Sequence, residues 1–150
     1  MLLSELLRYQ LYDCSKDKVY LRNELTYLEN YLALERMRRT DAAIKLIVNG
    51  DANGKMIAPF LFIPFVENAV KHGLETQIEG FIQLTFDISD DQLIFNITNS
   101  TSKNQQISKD GGIGLTNVKR RLELLYQENY QLKITESPNL YQVMLVLNLF

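Results

Sequence analysis

The 150-residue chain holds a single cysteine, Cys14, a single histidine, His72, and only three prolines. One cysteine makes no internal disulfide, and one cysteine with one histidine does not furnish a dedicated zinc site. Cys14 reads as a small core or interface residue. No stretch approaches the ~20 consecutive apolar residues that cross a bilayer, and the N-terminus lacks the basic-then-apolar layout of a signal peptide. The formal charge is −2, and the longest block of one sign is Lys119-Arg120-Arg121, so the chain has no electrostatic footprint for nucleic acid. These absences lead us to expect a soluble polypeptide of a reducing compartment, with no membrane contact of its own. Small anionic ligands remain open wherever a few cations and backbone amides are focused.

What is present suits one domain with a proper core: 46% hydrophobic and 23% charged residues. Leu2, Leu3, Leu6, Leu7 and Leu11 repeat at helical spacing, as do Leu21, Leu25, Leu28 and Leu32 in a second helix reaching about Arg39. The first of these opens with no capping residue ahead of it, the look of a chain cut from something longer. The segment "AAIKLIVNG" then alternates as a strand ending in turn chemistry at Asn49-Gly50. Pro64 lacks an N–H to donate, so the next helix starts or kinks there.

Two alternating segments, "GFIQLTFDIS" and "QLIFNITN", flank Asp90-Asp91 and predict a hairpin. Ser100 to Asp110 is polar and without period, a long loop running into "GGIG". Leu115, Val118, Leu122 and Leu125 are expected on one helical face, and two strands close the chain. The order predicts an α+β sandwich, with a mixed, mainly antiparallel sheet covered on one face by helices.

Three stretches carry candidate chemistry. In "FVENAVKHG", Glu67 and Lys71 form one i,i+4 row and Asn68 and His72 the row beside it, while Phe65, Val66, Ala69 and Val70 take the opposite side. Two readings are open: a solvated face with an ion pair of roughly 0.2–0.5 kcal/mol, or a polar face turned to a ligand. The glycines before Leu115 and Thr116 permit close backbone approach ahead of a helix N-terminus, which suits an anion; a lid hinge or a bare tight turn fits equally. Asn99, at a strand end, carries a donor and an acceptor that could read a base edge or simply make a turn.

Together, and in this order, "LLSELLRYQLYD", "VYLRNELTYLENYLALERMR", "IAPFLFIPFVENAVKHG" and "GGIGLTNVKRRLELLY" resemble LytS-like sensor histidine kinases, the partners of LytTR-type response regulators. The resemblance covers essentially the whole chain and implies the Bergerat-type ATP-binding fold of the histidine-kinase, gyrase and chaperone superfamily. It makes residues 1–40 the remnant of a dimerisation helix with its connecting helix, and residues 41–150 the ATP-binding catalytic domain.

The resemblance also implies roles. Asn68 would hold Mg²⁺, and Glu67 would polarise the attacking nucleophile. Lys71 and His72 would help neutralise phosphate charge. Gly112 and Gly114, with the N–H groups of Leu115 and Thr116, would cradle the phosphates, and Ser100 to Asp110 would be the lid. Asn99 stands where many members carry an aspartate, followed by glycine, that accepts from the adenine amino group. An ionised acceptor worth ~1.5–3 kcal/mol becomes a neutral one worth ~0.5–1.5, and Ser100 stiffens the lid's base.

The family phosphorylates a histidine N-terminal to these blocks, and His72 is in the wrong place. The expectation is therefore a fragment that is inactive as an autokinase by itself, from the cytoplasmic side of an inner-membrane sensor that is a homodimer at full length. Exposed leucines in its first helix should self-associate. Two alternatives stand beside the kinase: a degenerate nucleotide-binding scaffold, favoured by Asn99, and an ATPase acting through conformational change.

Overall fold

A computed structural model describes residues 2–13, 16–39, 42–74, 80–101 and 112–149. Cys14 and most of the expected lid, including Gly111, lie outside the described residues.

The chain opens with helix α1 (Leu2–Arg8), continues as a π-helical turn (Tyr9–Asp13), and pairs a two-residue strand β1 (Val19–Tyr20) with β3 (Met56–Ile57). Helix α2 (Leu21–Arg38) follows, then β2 (Ala43–Asn49), α3 (Ile63–Gly73), the hairpin β4 (Phe81–Ile88) and β5 (Gln92–Ser100), α4 (Gly112–Tyr126), β6 (Tyr130–Glu136) and β7 (Leu140–Asn148). The five long strands form one sheet in the order β2-β4-β5-β7-β6. The β2–β4 pair is parallel, with α3 in the crossover that a parallel pair requires, and the other three pairs are antiparallel. The mixed, mainly antiparallel sheet expected from the alternating segments is the sheet found.

Strict alternation sends Ile82, Leu84, Phe86 and Ile88 of β4, Leu93, Phe95 and Ile97 of β5, and Val143, Leu145 and Leu147 of β7 to the helical side. There Phe62, Phe65, Phe86 and Phe95 interlock with ring centroids 4.9–6.1 Å apart. Pro64 is in the first turn of α3, where its missing N–H costs nothing. The hairpin closes through a Ser89 N–H donating to Gln92 O at 2.9 Å, across Asp90-Asp91.

The leading helices share this core rather than standing apart from it. Leu6 and Tyr9 are buried with Leu21, Leu28 and Leu32 of α2 in one continuous cluster that includes the sheet residues. The guanidinium of Arg36 donates to Ile44 O at 3.2 and 3.3 Å, covering the otherwise open edge strand β2. Of the leucine stripe in α1, only Leu6 among the residues beyond Leu2 turns inward; Leu3, Leu7 and Leu11 are 61%, 49% and 72% exposed.

One expectation on α4 fails. Leu115, Val118 and Leu122 are buried, but Leu125 is 56% exposed and Tyr126 packs against the core instead. At about 100° per residue, position 126 returns to within about 20° of position 115, whereas 125 falls about 80° to one side. The β1–β3 pair was also unforeseen, because two-residue strands have too few residues for any period.

Candidate functional site

Helix α3 is two-sided in the way its sequence suggests. Phe65, Val66, Ala69 and Val70 are buried, Glu67 and Lys71 are exposed, and Asn68 and His72 are half-buried. Partial burial pushes the Glu67 carboxyl above its ordinary range, which moves its basicity toward neutrality. Glu67 lies on the wall of an open groove of about 520 Å³ that it shares with Leu7, Tyr27, Tyr31 and Leu34 of the leading helices.

Asn99 continues the inward alternation of β5 after Leu93, Phe95 and Ile97, so an amide occupies a core position at 1% exposure. Its Nδ2 donates to Ser100 O at 2.9 Å, which settles the orientation of the amide because a carbonyl oxygen can only accept. Its Oδ1 is buried and accepts nothing from the described residues. Leaving an acceptor without a partner costs about 1–3 kcal/mol, so a buried one in a native site calls for an explanation.

Gly73, to which the sequence reading gave no role, and Ser100, read there only as a stiffer lid base, build the wall around Asn99. Gly73 ends α3 directly against it: a Cβ there would stand 2.9 Å from Asn99 Cβ. Ser100 Oγ accepts from Phe81 N–H at 3.0 Å and donates to Gly73 O at 3.3 Å, tying the end of α3 to the start of β4. The serine noted above as a stiffer replacement for glycine is thus a cross-link. The unbroken alternation from Leu93 to Asn99 was the available signal that this asparagine would be buried.

Helix α4 lies beside α3 and begins at Gly112, so Gly112 and Gly114 fall inside its first turn. The first turn of such a helix leaves N–H groups without an intrahelical acceptor. A Cβ on Gly114 would meet no described atom within 4 Å. The fold therefore brings Gly73, Asn99 and Ser100 together at one end of α3, with Glu67 and Asn68 higher on the same helix. Asn68 is five residues, or about 7.5 Å of helix rise, from Gly73.

The catalytic domain of histidine kinase ThkA superimposes with a TM-score of 0.61 at 16% identity, covering 87% of this chain and 95% of that one. The fold is thus that of histidine kinase catalytic domains. In sequence, residues 1–43 match the family model described as Histidine kinase. Sensor histidine kinase BtsS of Escherichia coli K12 is 22% identical over 125 residues, which cover 82% of this chain and 22% of BtsS. Sensor protein kinase HptS of Staphylococcus aureus USA300 is 39% identical over 86 residues, which cover 55% of this chain and 16% of HptS. The chain is thus similar in sequence to sensor histidine kinases and spans about a fifth of the length of these two. No described helix is long and apolar enough to cross a membrane.

Proposed function

We propose that this chain is the ATP-binding catalytic region of a LytS-like sensor histidine kinase, with residues 1–40 the end of a dimerisation helix and its connection and residues 41–150 the ATP-binding domain. It transfers the γ-phosphoryl group of Mg-ATP to a histidine outside this chain. The whole kinase is a homodimer at the inner membrane with this region in the cytoplasm, and it passes the phosphate to a LytTR-type response regulator.

The observation that carries the reading is the orphaned Asn99 Oδ1. An exocyclic amino group of adenine is the kind of donor it lacks. The donor set also suits the ion. No group of three or more His, Cys, Asp or Glu residues that could hold a metal occurs among the described residues. Mg²⁺ needs only one or two protein oxygens, with phosphates and water completing its octahedron, and the half-buried Asn68 amide supplies one. When bound, the ion neutralises charge on the β- and γ-phosphates.

The chain's own groups then divide the work. Gly112 and Gly114, with the N–H groups of Leu115 and Thr116, cradle the phosphates at the helix N-terminus. Lys71, one turn beyond Glu67, adds positive charge, and His72 beside it helps to neutralise the phosphates through a ring N–H. Glu67 polarises the acceptor imidazole, whose nitrogen forms the new P–N bond as the bond to the ADP oxygen breaks.

A second reading, a degenerate nucleotide-binding scaffold, is favoured by the missing charge on Asn99. Isothermal titration with a non-hydrolysable ATP analogue, with and without Mg²⁺, separates the two. Mg²⁺-dependent binding that is lost in Asn68→Ala, with the apo melting temperature nearly unchanged, is expected of the kinase; absence of heat and of thermal shift at millimolar analogue supports the scaffold.

A further inference from the structure

Phe60 is one of two described non-glycine residues in the left-handed region, with φ 55°. Such a conformation persists only where its surroundings over-determine it, and these sites cluster at switches and clamps. Phe60 stands three residues ahead of α3, and three elements hold it.

From α2, the Glu24 carboxylate accepts the Phe60 N–H at 2.9 Å. From the turn after α1, the Tyr9 hydroxyl donates to the same oxygen, Glu24 Oε1. The Phe60 ring packs edge-on to Tyr9 and Tyr27, with centroids 5.5 and 5.3 Å away. From α4, the Arg121 guanidinium donates to Phe60 O at 3.3 Å and to Pro59 O at 2.6 Å, and the Tyr126 hydroxyl accepts the Ala58 N–H at 3.0 Å. Glu24 is fully buried, and its Oε2 has no partner among the described residues. A surface polar pair would leave no such orphan. A carboxylate is kept here at a cost, with one oxygen gathering the donors of α1's end and of the segment before α3.

We propose that Ala58–Phe60 is the joint through which the leading helices set the placement of α3 against α4, with Glu24 and Arg121 as its positioning residues. The proposal rests on the reading above, since the parts it positions are Glu67 and Asn68 on α3 and the Gly112 end of α4. The sequence of events is mechanical. Displacing α1 withdraws the Tyr9 hydroxyl and ring. Glu24 and Phe60 then lose shared partners, and the strained backbone ahead of α3 is free to relax. Arg121 passes the same displacement to α4. Glu24 and Arg121 meet the backbone of Pro59 and Phe60 ahead of α3, so they act on the candidate site through that segment.

The test uses the 150-residue chain as wild type, Tyr9→Phe, Arg121→Met and Arg121→Lys. Amide hydrogen exchange is read across residues 63–73 and, as an internal control, across β6 and β7. Affinity for the Mg-bound ATP analogue is read in parallel. Tyr9→Phe deletes one hydroxyl and keeps the ring, so it remains informative if Arg121→Met fails to fold. The expected result is faster exchange in 63–73 with β6 and β7 unchanged, at least a fivefold loss of analogue affinity in Tyr9→Phe and Arg121→Met, and partial recovery in Arg121→Lys. Exchange that rises equally everywhere, or not at all in 63–73, overturns the joint and leaves these residues as ordinary packing. If the wild-type chain does not bind the analogue, the nucleotide reading fails, and selective exchange in 63–73 still decides the joint.

Discussion

Alanine at Gly73 probes the contact on which the candidate adenine site depends. The added Cβ would stand 2.9 Å from Asn99 Cβ and 3.3 Å from both Asn99 Nδ2 and Phe81 O. Carbon atoms rest at ~3.5–4.0 Å, so about 0.6–1.1 Å must be found. Neither obstacle is the free end of a flexible side chain: one is a Cβ on β5, flanked by β4 and β7, and the other is a backbone carbonyl. Overpacking of this kind costs ~1–3 kcal/mol, while the helical preference of alanine over glycine returns at most ~1. The backbone adds no penalty, since the described glycines with positive φ are Gly50 and Gly54. The balance is a loss of about 1–2 kcal/mol, seen as a melting temperature lower by about 2–8 °C. Because relief requires Asn99 to move, analogue affinity should fall as well. Differential scanning calorimetry and titration check the two effects. An unchanged or higher melting temperature with unchanged affinity would refute the claim that the end of α3 is packed tightly on Asn99.

Three further outcomes follow from the same geometry. Asn99→Asp should tighten analogue binding by about five- to tenfold, from ~1 kcal/mol or slightly more gained with an ionised acceptor. It should also lower apo stability, because a buried carboxylate replaces the amide that donates to Ser100 O; titration that shows no tightening would remove the case for adenine contact at this position. Replacing the exposed Leu3, Leu7 and Leu11 together with serine should lower the light-scattering mass if α1 mediates self-association. This substitution is a cleaner test than deleting the segment, whose Leu6 and Tyr9 belong to the core. For pH, burial raises the Glu24 carboxyl above its ordinary 4.5, more than its hydrogen bonds from Tyr9 and Phe60 lower it. A raised carboxyl binds its proton more tightly folded than unfolded, so stability is greatest below 4.5 for this group and falls as pH rises from there through the folded value. Glu24→Gln should flatten that fall in melting temperature, and an identical pH profile would contradict the desolvation of Glu24.

The sequence by itself determined the elements and the kind of sheet. Period-2 runs such as "QLIFNITN" and period-3.6 runs such as "PFVENAVKHG" state which face is apolar, and burial must follow. The order of the four family blocks placed Glu67, Asn68, Asn99 and the glycine turn in one chemical hypothesis. Only the tertiary structure decided what surrounds them. Leu125 and Tyr126 both suit a helix end, and the choice between them was made by the 20° drift of the core-facing stripe. Gly73 and Ser100 became the wall of the Asn99 site because β4, β5 and the end of α3 converge there, a meeting of residues some 27 positions apart that no local pattern encodes. The joint at Phe60 is more remote still. Its left-handed backbone is unfavourable for any phenylalanine considered locally, and it is held by hydrogen bonds to Glu24 and from Arg121 and by ring packing on Tyr9 and Tyr27, from three other elements.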